Sequence, residues 1–191
     1  ALAGASAVSL RNDPGQPLQT LALASVLPPP LQYRFDFATR NTMLYNGVST
    51  FTVGDDGTVA LENVVTTYQT NSFGAADNSY LEVETMFTLA YVLRFMQSAI
   101  TSKFARVKLA ADGTRFAAGS AVVTPNIIRA ELIAQYRELE SRGLVQNADA
   151  FKAGLIVQQN SVNPNRVDVL WPGTLIDQLR IFALLAQFRL I

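Results

Sequence analysis

The chain has 191 residues, 49% hydrophobic and 16% charged, so it is long enough to bury its own core and unusually apolar. Fifteen basic and fifteen acidic residues balance, which disfavours a nucleic-acid-binding protein, because that class usually carries a basic excess. Histidine and cysteine are absent, which excludes Ser-His and Cys-His catalytic sites, disulfides and zinc clusters.

Charged residues are unevenly distributed along the chain. Residues 41–93 contain six acidic and no basic residues, whereas residues 94–115 contain five basic and one acidic residue. This separation fits two faces that attract within one fold, and it also fits a polymer whose subunits meet through opposite charges. The most apolar stretches, 81–104 and 170–191, include arginine and acidic residues, so no membrane span is expected.

The first half of the chain predicts a loop, a short helix and a β-hairpin. We interpret the small, apolar start as the interior of a longer chain, because it has no initiator Met or basic segment. Residues 11–32 are proline-rich and loop-like, and residues 36–47 predict a short helix. Strands over Ser49–Val53 and Val59–Tyr68 flank a tight turn at 54–57, whose paired aspartates are typical of turns rather than of a metal site.

The middle of the chain predicts two long helices joined by a basic linker over residues 103–119. Ser79 and Glu82 have the spacing of a capping box, and the helix that follows runs to about residue 104. Its apolar residues cover most faces, so we expect burial on more than one side. Thr124 as N-cap and Pro125 at the first position begin a second helix, which ends near residue 142 before Gly143.

The last forty residues predict a second hairpin and an ambiguous tail. Strands over Ala153–Gln159 and Arg166–Trp171 flank a turn at 160–165. Leu175–Leu190 fits a helix capped by Thr174, or a strand that is apolar on both faces, and periodicity does not decide between them. A two-faced apolar strand needs cover on both sides, which the edge of a free monomer does not supply.

Motifs for catalysis are missing from the sequence. It contains no phosphate-binding loop, zinc-protease motif or nucleophile elbow. Ser102 and Lys103 are adjacent on a predicted helix, where their side chains point about 100° apart, so they do not form a dyad. We therefore expect a non-enzymatic assembly subunit that uses no cofactor and no metal.

Eight stretches, in order along the chain, resemble the C-terminal part of the contractile tail sheath proteins of Mu-like bacteriophages and prophages. They are Pro17–Leu21, Gly47–Val53, Thr66–Asn71, Ser79–Leu89, Val122–Asn126, Ile128–Ile133, Gln178–Phe182 and Gln187–Leu190. The resemblance implies a mixed α+β fold in two parts. Residues 1–53 would end a middle domain with a subtilisin-like fold. Residues 54–191 would form the sheath C-terminal domain, with two main helices, the β-hairpin and residues 174–191 as an extended linker arm.

The resemblance also implies the assembly and its partners. Sheath subunits of this family stack as six-membered rings around an inner tail tube, and contraction drives that tube through the host envelope for genome ejection. The implied partners are further copies of the chain, the tube protein, the baseplate and the tail terminator, with no direct contact to nucleic acid or membrane. The implied location is the virion tail, assembled in the host cytoplasm.

Two sets of interface residues follow from this resemblance. The first is an intersubunit strand that adds to a neighbour's sheet, formed by Leu179, Arg180, Ile181, Phe182, Leu184, Leu185, Phe188 and Leu190. The second is a set of tube-facing cations, Lys103, Arg106, Lys108, Arg115, Arg129 and Arg137, which fits solvated or internally paired charges equally well. Two alternatives for the whole chain remain: the sheath of a headless tail-like particle (a bacteriocin or injection system), and a non-contractile tail adaptor module.

Overall fold

The computed structural model describes residues 1–187 and 189, within which the chain forms five α-helices and eight short strands. The chain divides into two compact units: Ala1–Phe87 with the residues from Asp177 onward, and Thr88–Ile176. This mixture of helices and strands confirms the predicted fold class. The subtilisin-like character of residues 1–53, and the division at residue 54, remain predictions.

The first unit packs helices and loops against a two-stranded hairpin. It contains α1 (Leu2–Asn12), a short 3-10 helix (Leu31–Tyr33), α2 (Phe37–Tyr45), β1 (Thr50–Val53) and β2 (Val59–Asn63). Its core consists of the buried residues Leu10, Leu18, Leu61 and Val64. Helix α1 was not predicted, and it uses the alanine-rich start of the chain, where helix propensity is high.

The β1–β2 hairpin confirms the turn predicted at residues 54–57. The strands pair antiparallel, and the N–H of Gly54 donates to the carbonyl of Thr58 at 2.9 Å. Gly57 takes a positive φ of 82°, and the Asp56 carboxylate accepts the N–H of Thr58 at 2.9 Å. The aspartate therefore serves the turn, as expected. The return strand was predicted to reach residue 68 but ends at Asn63.

Helix α3 (Val83–Lys103) begins later than predicted, and its burial differs from the prediction. The capping box is wrong, because the hydroxyl and N–H of Ser79 both donate to Asp77, which holds Ser79 in a turn before the helix. Burial on more than one side is also wrong. Glu84, Thr88, Val92 and Met96 form a single buried stripe at i+4 spacing, while large apolar residues such as Phe87 and Leu93 are exposed.

The second unit is built around α4 (Pro125–Ser141) and contains three small sheets. The strands β3 (Lys108–Leu109) and β4 (Val122–Val123) pair in parallel, and β5 (Val145–Gln146) pairs antiparallel with β8 (Thr174–Leu175). A short helix, α5 (Ala148–Gly154), precedes the hairpin of β6 (Ile156–Gln159) and β7 (Val167–Leu170). The second hairpin is confirmed, but its first strand begins at residue 156, because α5 occupies residues 153 and 154.

The N-terminus of α4 is stabilised differently from the prediction. Thr124 is the N-cap and Pro125 opens the helix, but the Thr124 side chain makes no capping hydrogen bond. The Asp112 carboxylate instead accepts the N–H of Asn126 at 3.0 Å, which places an acidic group at the positive end of the helix. Asp112 is the one acidic residue in the basic stretch 94–115, so the linker helps to fix α4.

Stacked aromatic rings form the centre of the second unit's core. Tyr136 and Phe151 lie nearly parallel with ring centres 3.8 Å apart, and Trp171 lies 6.2 Å from Tyr136. Buried aliphatic residues from α3 and α4 surround these rings, including Val92, Leu132 and Leu139. The core therefore ties α3, α4, α5 and the end of β7 into one unit.

Candidate interaction surfaces

The C-terminal arm, which we define as residues 176–187 and 189 of the described chain, exposes most of its apolar side chains. No helix or strand is formed over this range, so the helical alternative for the tail is wrong for the described residues. Leu179, Ile181, Phe182, Leu184 and Leu185 are each 78–86% exposed. Phe188 and Leu190, the other two apolar residues of the predicted strand, lie outside the described residues. The arm thus presents a row of apolar groups with no cover from its own described chain.

Arg180 differs from the rest of the arm because its side chain is only 17% exposed. Its Nη2 atom lies 3.1 Å from the carboxylate of Glu84 and 3.3 Å from that of Glu82. Glu84 is fully buried, and its Oε1 atom accepts the N–H of Leu18 at 2.8 Å. Sequence reasoning did not find this site, because the three segments that meet there are far apart along the chain.

Three of the six predicted tube-facing cations have partners within the second unit. The Lys103 ammonium donates to Glu131, which lowers the pKa of the Glu131 carboxyl below its ordinary value. The Arg129 guanidinium donates to the backbone carbonyls of Lys152 and Leu155 at the end of α5. Arg137 lies 3.9 Å from the exposed carboxylate of Asp149. Lys103 and Arg129 therefore support the fold of the unit itself, whereas the Arg137 pair is exposed and contributes little to stability.

The other three predicted cations, Arg106, Lys108 and Arg115, remain available to a partner. Each is exposed, and none forms an ion pair with a residue in the described part of the chain. Arg94 on α3 shares both properties, and the sequence reasoning did not select it. Acidic residues of the stretch 41–93 pair elsewhere: Glu62 with Arg40 at 2.7 Å, and Glu82 and Glu84 with Arg180.

An open apolar groove of about 340 Å³ runs along the second unit. It follows from the one-sided burial of α3, whose Leu93 remains 46% exposed at its edge. Its lining residues come from α3, α4 and the end of β7, and they include Met96, Ile100, Ile128, Leu132 and Trp171. The sequence reasoning missed the groove because it expected other parts of the chain to cover this side of α3.

Residues 1–187 and 189 carry no sign of a metal site or of a membrane-spanning helix. No cluster of three or more acidic side chains suited to a metal ion occurs there. Over the same residues, no helix combines the length and apolar character that a membrane crossing requires. The surfaces of interest are therefore the arm, the unpaired cations and the groove.

Comparison with protein families identifies the class of protein. Residues 75–189 match the model of the phage tail sheath C-terminal domain. The chain therefore belongs to the phage tail sheath family, which makes it a structural component of a virion tail. This confirms the resemblance read from the sequence.

One curated relative shares almost half of its aligned residues with the chain. The chain is 48% identical over 190 residues to the Mu-like prophage FluMu tail sheath protein of Haemophilus influenzae. The match covers 100% of the chain and 39% of that relative, so the chain spans about two fifths of its length. This relative is a tail sheath protein, which agrees with the absence of catalytic motifs in the sequence.

A solved structure supports the fold independently. The crystal structure of the sheath tail protein from Desulfitobacterium hafniense superposes with a TM-score of 0.59 over 87% of the chain and 35% of that protein. Sequence identity is only 15%, so the match concerns the fold alone.

Proposed function

We propose that the chain acts in a contractile tail sheath, as a subunit that polymerises into stacked six-membered rings around the tail tube. Contraction of that polymer drives the tube through the host envelope for genome ejection. The observation that carries the proposal is the C-terminal arm, because its apolar side chains are exposed on the chain that bears them. A row of uncovered apolar groups at the end of a chain suits addition to a neighbour.

Strand addition accounts for the proposed link between subunits. The β6–β7 sheet has two strands and pairs with no further strand among the described residues, so its outer edges are open to an added strand. If the arm forms about six backbone hydrogen bonds at about 1 kcal/mol net each, the link is firm but reversible. Reversible links of this kind permit rings to move relative to one another while remaining joined.

Contact with an acidic tube surface is proposed for Arg106, Lys108 and Arg115. We select these three of the six predicted cations because Lys103, Arg129 and Arg137 have partners on their own chain. The baseplate and the tail terminator are proposed as partners at the ends of the sheath. Assembly is proposed to occur in the host cytoplasm, without a direct contact to nucleic acid or membrane.

The test of this function is assembly of the natural full-length protein, followed by electron microscopy. We expect striated hollow tubes or six-fold rings from the wild type, alone or with the tube protein. Truncation after Arg180 removes the exposed arm but keeps the ion pairs with Glu82 and Glu84, so the subunit should stay folded while rings fail to stack. Normal tubes from the truncated protein would overturn the role of the arm.

Of the two alternatives, only the tail adaptor gives a different result in the same experiment. A headless tail-like particle would show the same tubes, and only the presence or absence of a capsid in the producing host would separate it from a phage. A tail adaptor would remain a dispersed monomer or a single ring at all salt concentrations, even when tube protein is added.

A further inference from the structure

We infer that Arg180 anchors the base of the C-terminal arm on its own subunit, so that the segment available to a neighbour begins at Ile181. That the arm binds a neighbouring subunit rests on the proposed function. The anchor, by contrast, is a property of one chain and can be tested on unassembled protein. The intersubunit strand predicted from the sequence begins at Leu179 and includes Arg180 in the segment given to the neighbour. The anchor instead keeps Arg180 on its own subunit.

Contacts from both sides hold the residues around the anchor. The Arg180 guanidinium reaches the carboxylates of Glu84 and Glu82 at 3.1 and 3.3 Å. The Arg180 carbonyl accepts from the side chain of Gln19 at 3.4 Å, and the side chain of Gln178 reaches the carbonyl of Gly15 at 3.5 Å. The arm base is thus tied to residues 15–19 and to the start of α3.

Burial of Glu84 makes this attachment hard to release. Its side chain is fully buried, and a buried carboxylate requires a compensating cation or hydrogen bonds. Within the described residues its ion pair is with Arg180, and Glu82 shares the same guanidinium. Withdrawal of Arg180 toward a neighbour would break an ion pair with a buried carboxylate, so we expect the pair to persist when the arm is exchanged.

The residues after the anchor behave differently. Ile181, Phe182, Leu184 and Leu185 are 78–86% exposed, and no hydrogen bond or ion pair in the described structure involves their side chains. The hydrogen bonds and ion pairs of the arm within the described residues include those of Gln178 and Arg180 and none of residues 181–187. The last of these contacts, at Arg180, defines where the fixed part of the arm ends.

Trypsin provides a direct test, because it cleaves after arginine only when the side chain is free to enter its pocket. Arg180 is anchored, while Arg189, the next arginine on the same arm, is exposed and serves as an internal reference. Using unassembled full-length protein, we expect cleavage after Arg180 to be about tenfold slower than after Arg189, since cleavage follows the population of locally open states. The double variant Glu82→Gln, Glu84→Gln should raise the rate at Arg180 at least about fivefold.

Further variants separate the anchor from a general loss of folding. Arg180→Lys keeps a cation, and because the arginine reaches both carboxylates through Nη2 alone, lysine should keep cleavage after residue 180 within about threefold of the wild-type rate. If the double variant fails to melt cooperatively, Glu82→Gln alone, which changes a partly exposed carboxylate, should still raise the rate about twofold. Asp168→Asn, which removes the partner of Arg166, is the matched control and should leave cleavage at Arg180 unchanged.

The possible results distinguish the anchor from the sheath function. Equal cleavage after Arg180 and Arg189 in the wild type, or no acceleration in the folded double variant, would overturn the anchor whether or not the protein assembles. In assembled sheath, we expect Arg189 to become protected while Arg180 keeps its low rate. A protein that never forms rings but shows the predicted rates would refute the sheath function and support the anchor.

Discussion

Tyr136 connects three segments of the second unit through a single hydroxyl group. Its oxygen accepts the N–H of Thr174 at 3.0 Å, and its proton lies within reach of the carbonyls of Gln146 and Thr174, at 2.8 and 3.1 Å. Burial raises the pKa of the Tyr136 hydroxyl above its ordinary value, so the group stays protonated and able to donate. The hydroxyl thereby joins α4 to both strands of the β5–β8 sheet.

Substitution Tyr136→Phe tests this connection. It keeps the ring stacked on Phe151 but leaves the N–H of Thr174 and a carbonyl without their partner, so we expect the free energy of unfolding to fall by about 1–3 kcal/mol. Urea denaturation followed by circular dichroism measures the loss. Tyr33→Phe removes an exposed hydroxyl and should change stability by less than about 0.5 kcal/mol. Equal effects of the two variants would contradict the structural role of Tyr136.

Individual contacts were the least predictable level from the sequence. Tyr136 lies within a helix that was predicted, but its partner Thr174 is 38 residues further along, and no local pattern marks that contact. The burial of Glu84 was unpredictable for the same reason, since only the meeting of Leu18 and Arg180 around it makes burial tolerable. Asp56, whose partner is two residues away, was predicted correctly.

Among the helices and strands, the end of α4 was predictable from the sequence because a single glycine marks it. Gly143 takes a positive φ of 71°, its N–H donates to the carbonyl of Glu140 at 2.9 Å, and the N–H of Leu144 donates to that of Leu139 at 3.1 Å. This pair of bonds is a Schellman motif, and Leu139 and Leu144 are both buried beside it. The glycine was predicted as the stop of α4, because only glycine adopts this conformation without strain.

A pair of glycine substitutions tests the role of that conformation. Nothing lies within 4 Å of a Cβ added at Gly143, so Gly143→Ala should cost about 1 kcal/mol through backbone strain alone. Gly4 has equally open surroundings but lies within α1, where Gly4→Ala should raise stability by up to about 1 kcal/mol. Thermal unfolding should therefore shift in opposite directions for the two variants. A shift of the same sign in both would show that the strain at Gly143 is not the cause.

Helices and strands were predictable where the apolar residues repeat with a clear spacing or where typical turn residues mark a hairpin. Helix α4 and both hairpins were predicted because their apolar spacing and turn residues are local. The β3–β4 and β5–β8 pairs were missed, since two-residue strands carry no period and their partners are distant. Helix α5 was missed because seven residues are too few for a clear periodic signal. The tail stayed ambiguous because its apolar residues fit both a helical and a strand period.

At the scale of the whole molecule, the chain exposes far more apolar surface than a free subunit needs. The arm, the groove and the outer side of α3 are all apolar, while Arg106, Lys108 and Arg115 are exposed and form no ion pair with another described residue. In the proposed sheath, a subunit would bind copies of itself and also hold a tube of different composition. Apolar surfaces suit the proposed contacts between subunits, and exposed charges suit a contact with the tube that is released during the proposed contraction.

Charge reversal tests the proposed contact with the tube. The double variant Arg106→Glu, Lys108→Glu should weaken binding of assembled sheath to tube about tenfold at low salt, because attraction becomes repulsion at exposed sites. At 1 M salt the screening length falls to about 3 Å, so variant and wild type should bind alike. Co-sedimentation of sheath with tube across a salt series measures both limits. Lys103 is left unchanged, since its loss would also remove the partner of Glu131.

The matched control decides whether the position of the charges matters or only their sum. Arg11→Glu, Lys152→Glu alters net charge by the same amount at exposed residues outside the basic stretch, so binding should stay within about twofold of wild type. If this control loses binding equally, net charge alone governs the contact and the assignment of Arg106 and Lys108 fails. If neither variant changes binding at any salt concentration, the tube is held by apolar surface, and the groove along α3 becomes the surface to mutate next.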